Sequence, residues 1–178
     1  MTNGQESSAP PAVAVVVSRY NASITDRLVE GALDAYALRG GDPASVHVFH
    51  APGSYELPAL AMAAAETGRY RGVVALGCLI RGETRHDRYI AEAVAQGLVQ
   101  VSVQTGVPCG FGVLTVESGK QAKARAGGAK GNKGAETMGA VLETIASIEA
   151  IKAGQPPTIE EDDEDRPDKT HDEGEDAD

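Results

Sequence analysis

Residues 12–38 read AVAVVVSRYNASITDRLVEGALDAYAL, and the spacing of the apolar residues changes partway through this stretch. Residues 12–17 are continuously apolar and rich in β-branched side chains, which is typical of a strand buried on both faces. From residue 22 to residue 38, apolar and small residues recur every three or four positions, as on one face of a helix. Gly40-Gly41 then indicates the end of that helix.

The same alternation of strand and helix continues along the chain. Further strands are predicted at residues 46–49, 72–80 and 109–115, and further helices at 57–67, 89–103, 121–126 and 135–151. Short linkers join each strand to the next helix, which favours a parallel sheet with helices on both faces. The sequence therefore predicts an α/β fold: one flavodoxin-like domain over residues 12–153, a three-layer α/β/α sandwich around a four-stranded parallel sheet.

The two ends of the chain have a different composition from this domain. From Pro156 onward the chain carries twelve acidic side chains against Arg166 and Lys169, which equals the whole formal charge of −10. Segments so poor in apolar residues cannot offset the entropy that ordering costs. We therefore expect a disordered acidic tail at residues 154–178 and a disordered arm at residues 1–11. The tail is interpreted as solubilising, with a docking or electrostatic role as the alternative.

Composition also excludes several classes of function. No apolar stretch approaches the roughly 20 residues that a membrane span needs, and the first residues do not resemble a signal peptide. A cytoplasmic protein is therefore predicted. A neutral domain with an anionic tail does not favour nucleic acid as a partner. Cys78 and Cys109 form no CxxC motif and are expected to be buried free thiols. His47 and His50 face opposite ways on a strand, so no metal site is indicated.

In parallel α/β folds the ligand binds outside the carboxyl ends of the strands, where the strand-to-helix loops gather. Those loops are predicted at residues 18–21, 51–56 and 81–86 and around residues 111–117. They contain aromatic, glycine and charged residues, so they are expected to form one pocket. In the first two loops, Tyr20 is suited to stack on a flat ring, and Tyr55 with nearby backbone groups to bind polar parts of a ligand. Alternatively, Glu56 and Pro58 simply begin a helix.

The third loop combines features of an anion site. Gly82 lets the backbone approach a ligand, the following helix start offers unpaired N–H groups, and Thr84 adds a hydroxyl donor. An ordinary N-cap at Thr84 explains the same residues, so both readings stay open. His86 follows in the first turn, where the helix dipole favours the neutral imidazole that general acid–base catalysis requires. A plain surface histidine is the alternative.

A second basic segment lies near the end of the domain. Residues 125–134 read RAGGAKGNKG and place one guanidinium and two ammonium groups around a glycine-rich loop. Arginine suits phosphate through its planar fork, and lysine adds a point charge. The segment is not a Walker A loop because no strand precedes it and the GK[ST] order is absent. A solvated basic connection between two helices is the alternative.

Taken together, these stretches resemble one known family. Its motifs match RYN at 19–21 with Gly31-Ala32, PGSYELP at 52–58, ALGCLIRGETRHDRY at 75–89, and FGVLT at 111–115 followed by QAKARAGGAKGNKG at 121–134. They occur in order over roughly residues 12–150. The chain thus closely resembles the 6,7-dimethyl-8-ribityllumazine synthases of riboflavin biosynthesis.

The resemblance implies condensation of 5-amino-6-(D-ribitylamino)uracil with 3,4-dihydroxy-2-butanone 4-phosphate, with loss of phosphate and water. It implies no metal, nucleotide or redox cofactor. Holding two reactants in the right orientation supplies roughly 7–11 kcal/mol in favourable cases, and an acid–base group adds about 10²–10⁴-fold. Two alternatives are a non-catalytic flavin- or lumazine-binding shell or carrier of the same fold, and the related archaeal-type riboflavin synthase, which lacks the RGxTxH stretch.

The resemblance also implies roles for individual residues. His86 corresponds to the proton shuttle. Residues implied to bind the pyrimidine are Tyr20, Ser54, Tyr55, Glu56, Cys78, Leu79, Ile80 and, from the neighbouring subunit, Phe111. Residues implied to bind the butanone phosphate are Glu83, Thr84, Arg125 and Lys133.

The sequence departs from the family pattern at two places, and the resemblance also implies an oligomer. The family more often has Phe or Trp where Tyr20 stands, and an aromatic followed by an acid where Asp87-Arg88 follow His86. An arginine so close to His86 is expected to affect its protonation. Active sites shared between neighbours imply a homo-oligomer of at least five subunits. The short glycine-lysine loop resembles that of members forming icosahedral shells of twelve pentamers, with riboflavin synthase as an enclosed partner.

Overall fold

A computed structural model describes residues 10–155 of the 178-residue chain. Its main sheet contains four parallel strands, β1 (Val13–Ser18), β2 (His47–Ala51), β3 (Gly72–Ile80) and β4 (Cys109–Val116), in the order β2-β1-β3-β4. The predicted parallel sheet is therefore confirmed. Nearly all of the predicted arm and tail, at residues 1–9 and 156–178, lies outside the described residues. Pro10 and Pro11 accept hydrogen bonds from the Tyr36 hydroxyl at 3.0 and 3.2 Å, so the packed region begins before residue 12.

Five α-helices cover the sheet: α1 (Ala22–Leu38), α2 (Leu57–Glu66), α3 (His86–Thr105), α4 (Gly119–Arg125) and α5 (Lys133–Lys152). Helices α1 and α5 pack on one face and α2 and α3 on the other, which confirms the three-layer sandwich. Each side of the sheet has its own hydrophobic core. Among residues 10–155, none of the helices combines the length and apolar character of a membrane span.

The central strands show why their sequences are apolar at every position. In β1, Val13, Val15 and Val17 face the α1/α5 side, whereas Ala14 and Val16 face the α2/α3 side. Successive side chains of a strand point to opposite faces, and both faces of this sheet are covered by helices. A strand in this position cannot alternate apolar with polar residues.

Most predicted bounds agree with the structure to within two residues, and two elements differ more. Helix α3 begins at His86 and not at residue 89, because polar and charged residues form its exposed first turn. Residues 125–134 are not an open loop: Ala126–Gly128 (β5) pairs antiparallel with Gly131–Asn132 (β6). Gly127 and Gly131 adopt φ of 86° and 77°, which glycine reaches without a steric penalty.

This hairpin is tied to α1 and α5 by one side chain. Asn132 donates from Nδ2 to the Arg27 carbonyl at 2.8 Å, and its Oδ1 accepts from the N–H groups of Gly134 at 2.8 Å and Ala135 at 3.3 Å. Asn132 thus caps α5 while it holds the hairpin against α1. Gly31 leaves the space that the Asn132 amide fills.

Candidate active site

A cavity of about 740 Å³ opens at the carboxyl ends of β1 and β3, where parallel α/β folds bind ligands. Its walls come from the loops after β1, β2 and β3 and from the first turn of α3. The lining residues are Tyr20, Asn21, Gly53, Ser54, Tyr55, Glu56, Cys78, Leu79, Ile80, Gly82, Thr84, His86, Asp87, Tyr89 and Ile90. The structure therefore brings most of the predicted site residues together within one chain.

The loop after β1 places an aromatic ring at the cavity mouth. Tyr20 is exposed, and its backbone N–H donates to the Ser18 hydroxyl at 3.1 Å. The next residue, Asn21, has φ of 61° and donates from Nδ2 to the carbonyl of Cys78 at 2.9 Å. These two bonds join the Tyr20 loop to the end of β1 and to β3.

The loop after β2 carries a buried hydroxyl. Ser54 is 5% exposed, and the structure shows no hydrogen-bond partner for its Oγ among the described residues. Gly77 on β3 leaves the room for it, because a Cβ there would lie 2.6 Å from Ser54 Oγ. Beside it, Oε2 of Glu56 accepts from the Gly53 N–H at 3.0 Å and holds the loop closed. An unpaired buried hydroxyl costs about 1–3 kcal/mol, and the Thr25 hydroxyl on α1 is in the same state.

The third wall is the start of α3, with His86 as its first residue. The N-cap is Arg85 and not Thr84, so the alternative in which Thr84 caps its own helix is wrong. Thr84 instead lines the cavity, two residues before the first residue of the helix. His86, Tyr89 and Ile90 are spaced i, i+3, i+4 and share the helix face that lines the cavity.

The unusual pair after His86 separates in space. Asp87 lines the cavity, whereas the Arg88 Nε contacts Oε1 of Glu92 at 2.7 Å, one helical turn further on. The hydrogen bond to Glu92, together with its charge, raises the pKa of the Arg88 guanidinium. The positive charge of Arg88 is thus paired with a carboxylate on the helix surface, and Asp87 lines the cavity.

The two cysteines are suited to structural roles. Cys78 is fully buried, and burial raises the pKa of its thiol to about 11. Burial also raises the pKa of the half-buried Cys109 thiol. Both thiols therefore stay protonated near neutral pH, and Cys78 is one of the residues that line the cavity. Residues 10–155 bring together no group of three His, Cys, Asp or Glu side chains able to hold a metal ion.

Four predicted site residues do not line this cavity: Glu83, Phe111, Arg125 and Lys133. Glu83 lies between two residues that do. Phe111 is 40% exposed on the edge strand β4, Arg125 ends α4, and Lys133 contacts Glu136 at 2.7 Å. A single chain therefore does not bring Phe111, Arg125 and Lys133 to the cavity that the other predicted site residues line.

Sequence reasoning missed several residues of the cavity. Tyr89 and Ile90 were detectable, because helical spacing from His86 places both on its face. Asp87 departs from the family pattern, but nothing in that pattern predicts its position in the cavity wall. No local signal indicated the hydrogen bond of Asn21, which spans 57 positions of the chain.

Comparison with known proteins gives the family. The profile described as 6,7-dimethyl-8-ribityllumazine synthase matches residues 11–149. A protein of that name from Thermus thermophilus is 49% identical over 139 residues, covering 78% of this chain and 88% of the relative. 6,7-Dimethyl-8-ribityllumazine synthase 1 of Caulobacter vibrioides is 45% identical over 143 residues, covering 80% and 94%. The Xanthomonas oryzae pv. oryzae synthase is 43% identical over 153 residues, covering 85% and 99%. The chain belongs to the 6,7-dimethyl-8-ribityllumazine synthase family, whose members are transferases of riboflavin biosynthesis.

Proposed function

We propose that this chain condenses 5-amino-6-(D-ribitylamino)uracil with 3,4-dihydroxy-2-butanone 4-phosphate to give 6,7-dimethyl-8-ribityllumazine. One observation carries the proposal beyond family membership. Three separate stretches of sequence, each matching a family motif, line a single cavity with a histidine at a helix start. We also propose a cytoplasmic location.

The pyrimidine is placed on the wall formed by the loops after β1, β2 and β3. The Tyr20 ring stacks on the heterocycle, and backbone groups of Cys78, Leu79 and Ile80 bind its edge. Polar atoms of the ring and the ribityl chain bind at Ser54, Tyr55 and Glu56. Ser54 lines this wall, and its hydroxyl has no hydrogen-bond partner among the described residues, which agrees with the placement.

The butanone phosphate is placed at the start of α3. Gly82, Glu83 and Thr84 lie before the free N–H groups of the helix, and the helix dipole favours an anion there. Arg125 and Lys133 of a neighbouring subunit complete this half of the site, and Phe111 of that neighbour closes the pyrimidine half. Phosphate is then held between a helix start and a guanidinium, which orients the ketone carbon toward the amine.

The reaction needs proton transfer and no redox step. The 5-amino nitrogen bonds to the ketone carbon, and water leaves to give an imine. Phosphate leaves, and the ribitylamino nitrogen closes the ring as a second water departs. His86 accepts the proton of the attacking amine and returns it to the departing hydroxyl. Its exposed position at the cavity edge allows it to exchange protons with solvent.

Mixing the purified protein with both substrates and recording lumazine absorbance and fluorescence tests the activity. His86→Ala is expected to lower kcat by about 10²–10⁴-fold, because the proton shuttle is lost while binding groups remain. The matched control is His50→Ala, an exposed histidine on β2 outside the cavity, which should keep wild-type kcat. A wild-type rate equal to the uncatalysed rate would instead favour a carrier or shell protein. Consumption of added lumazine would indicate a riboflavin synthase.

The assembly is proposed as a pentamer. Val99 and Val103 are exposed one turn apart on α3, and Phe111 and Lys133 lie outside the cavity of their own chain. Sedimentation of the purified protein should therefore show no monomer and a smallest stable particle of about 92 kDa, five times the 18.4 kDa chain.

The short β5–β6 hairpin further supports shells of twelve pentamers, with riboflavin synthase as an enclosed partner. A monomer at micromolar concentration would contradict the shared site; five-subunit particles across pH and phosphate concentration would exclude the shell.

A further inference from the structure

Asn21 departs from local rules of helix structure. Among residues 10–155 it is the one non-glycine residue with a positive φ, at 61°. It occupies the N-cap of α1, a position where asparagine usually accepts a hydrogen bond from the helix, yet its side chain makes no cap bond. The amide Nδ2 instead donates to the Cys78 carbonyl, 57 residues away, at 2.9 Å. The Asn21 side chain thus bonds a distant carbonyl in the cavity wall and does not cap its own helix. Such a departure from local rules indicates a role beyond folding.

The register of the sheet explains what this contact does. Strand β1 pairs with β3 only as far as Val17 and Leu76, whereas β3 continues to Ile80 against β4. The Cys78 carbonyl therefore lies beyond the last strand partner on the β1 side. The Asn21 amide takes the place of that missing strand and satisfies a carbonyl at the end of the sheet.

The residue type fits this geometry. Asparagine tolerates the left-handed conformation better than other residues with a side chain, and its amide supplies the N–H donor that aspartate lacks. Glycine would adopt the same φ without the donor. Because Asn21 follows Tyr20 directly, the same bond fixes the aromatic ring relative to the end of β3.

We infer that Asn21 is a positioning residue for the pyrimidine half of the site. Resting on the proposed function, the inference is that Asn21 holds the backbone of Cys78, Leu79 and Ile80 in the geometry that reads the ring edge, and keeps Tyr20 over the ring face. It does not act on the butanone phosphate, which is placed at the start of α3.

Two variants separate the donor from the backbone conformation. Asn21→Gly keeps the positive φ and removes the amide, and Asn21→Asp keeps the size and removes the donor. Each is expected to raise the pyrimidine KM about tenfold, and to leave the butanone phosphate KM within about twofold. Ser23→Ala, on the exposed first turn of α1 and outside the cavity, is the control and should change neither KM.

Calorimetric binding of the pyrimidine alone, with thermal unfolding of each variant, completes the test without turnover. A tenfold larger dissociation constant for the pyrimidine in Asn21→Gly, measured well below the melting temperature of that variant, supports positioning. Equal rises in both KM values, or a lower melting temperature with unchanged pyrimidine binding, would show that Asn21 is merely structural. An inactive wild-type protein that still loses pyrimidine affinity on Asn21→Gly would overturn the proposed function and leave this inference standing. An active enzyme whose pyrimidine binding is unchanged in Asn21→Gly would support the proposed function and overturn the positioning role of Asn21. Failure of the wild-type protein to bind the pyrimidine would overturn the proposed function and the positioning role together.

Discussion

Arg125→Ala is expected to raise the KM for the butanone phosphate about 100-fold, while the pyrimidine KM changes by less than about threefold. The guanidinium is exposed in the last turn of α4, and no carboxylate within residues 10–155 lies at ion-pair distance from it. It is therefore available for a bidentate, charge-assisted contact with phosphate, which contributes about 1.5–3 kcal/mol for each hydrogen bond. Steady-state kinetics with each substrate varied in turn gives both constants.

Lys123→Ala is the matched control for this substitution. Lys123 is also basic, exposed and in the last turn of α4, but it has no place in the proposed site. It should leave both KM values close to wild type, which separates a specific phosphate contact from a general loss of positive charge. Equal increases in the two KM values of Arg125→Ala would mean that Arg125 supports the fold and not the phosphate.

The same variant tests whether the site is shared between subunits. Assemblies refolded from equal amounts of Arg125→Ala and His86→Ala chains contain some interfaces with an intact histidine facing an intact arginine. Activity should return to about one quarter of the wild-type value, the fraction that random assembly of a cyclic oligomer makes intact. At a butanone phosphate concentration well below the raised KM of Arg125→Ala, mixtures no more active than the separate variants would place both residues in one chain and contradict the shared site.

Gly134→Ala is expected to cause the largest loss of stability. A Cβ at this position would overlap the carbonyl oxygen of Leu28, which is backbone and cannot rotate away. Alanine gains up to about 1 kcal/mol of helix propensity over glycine, but separating α1 from α5 costs about 3 kcal/mol or more. The net change should lower the melting temperature by roughly 4–8 °C, given the usual temperature shift per kcal/mol for a domain of this size.

Gly119→Ala provides the control for this prediction. Gly119 is the first residue of α4, has no positive φ and has nothing within 4 Å of an added Cβ. The substitution should therefore leave the melting temperature unchanged or raise it slightly. If Gly134→Ala unfolds at the temperature of Gly119→Ala, the close contact between α1 and α5 does not limit stability.

Most of the fold was predictable because its signals are local. The change from continuous apolar runs to helical spacing marks each strand and helix, and Gly72–Ile80 and Ala22–Leu38 match their predicted bounds. Predictions were weaker where polar residues form a helix turn, as at His86, or where two glycines with left-handed backbones turn a loop into a hairpin. In both places the local structure depends on contacts that the spacing of apolar residues does not predict.

The amino-acid sequence by itself determined the order of strands and helices, the loops that meet at the carboxyl ends of the strands, and the family. It did so because periodicity and motif spacing are properties of neighbouring residues. Only the tertiary structure decided that the Asn21 amide binds the Cys78 carbonyl, that the Ser54 hydroxyl is buried in the cavity wall, and that the charge of Arg88 is paired with Glu92. These features depend on which of several available partners lies within about 3 Å once the helices have packed on the sheet.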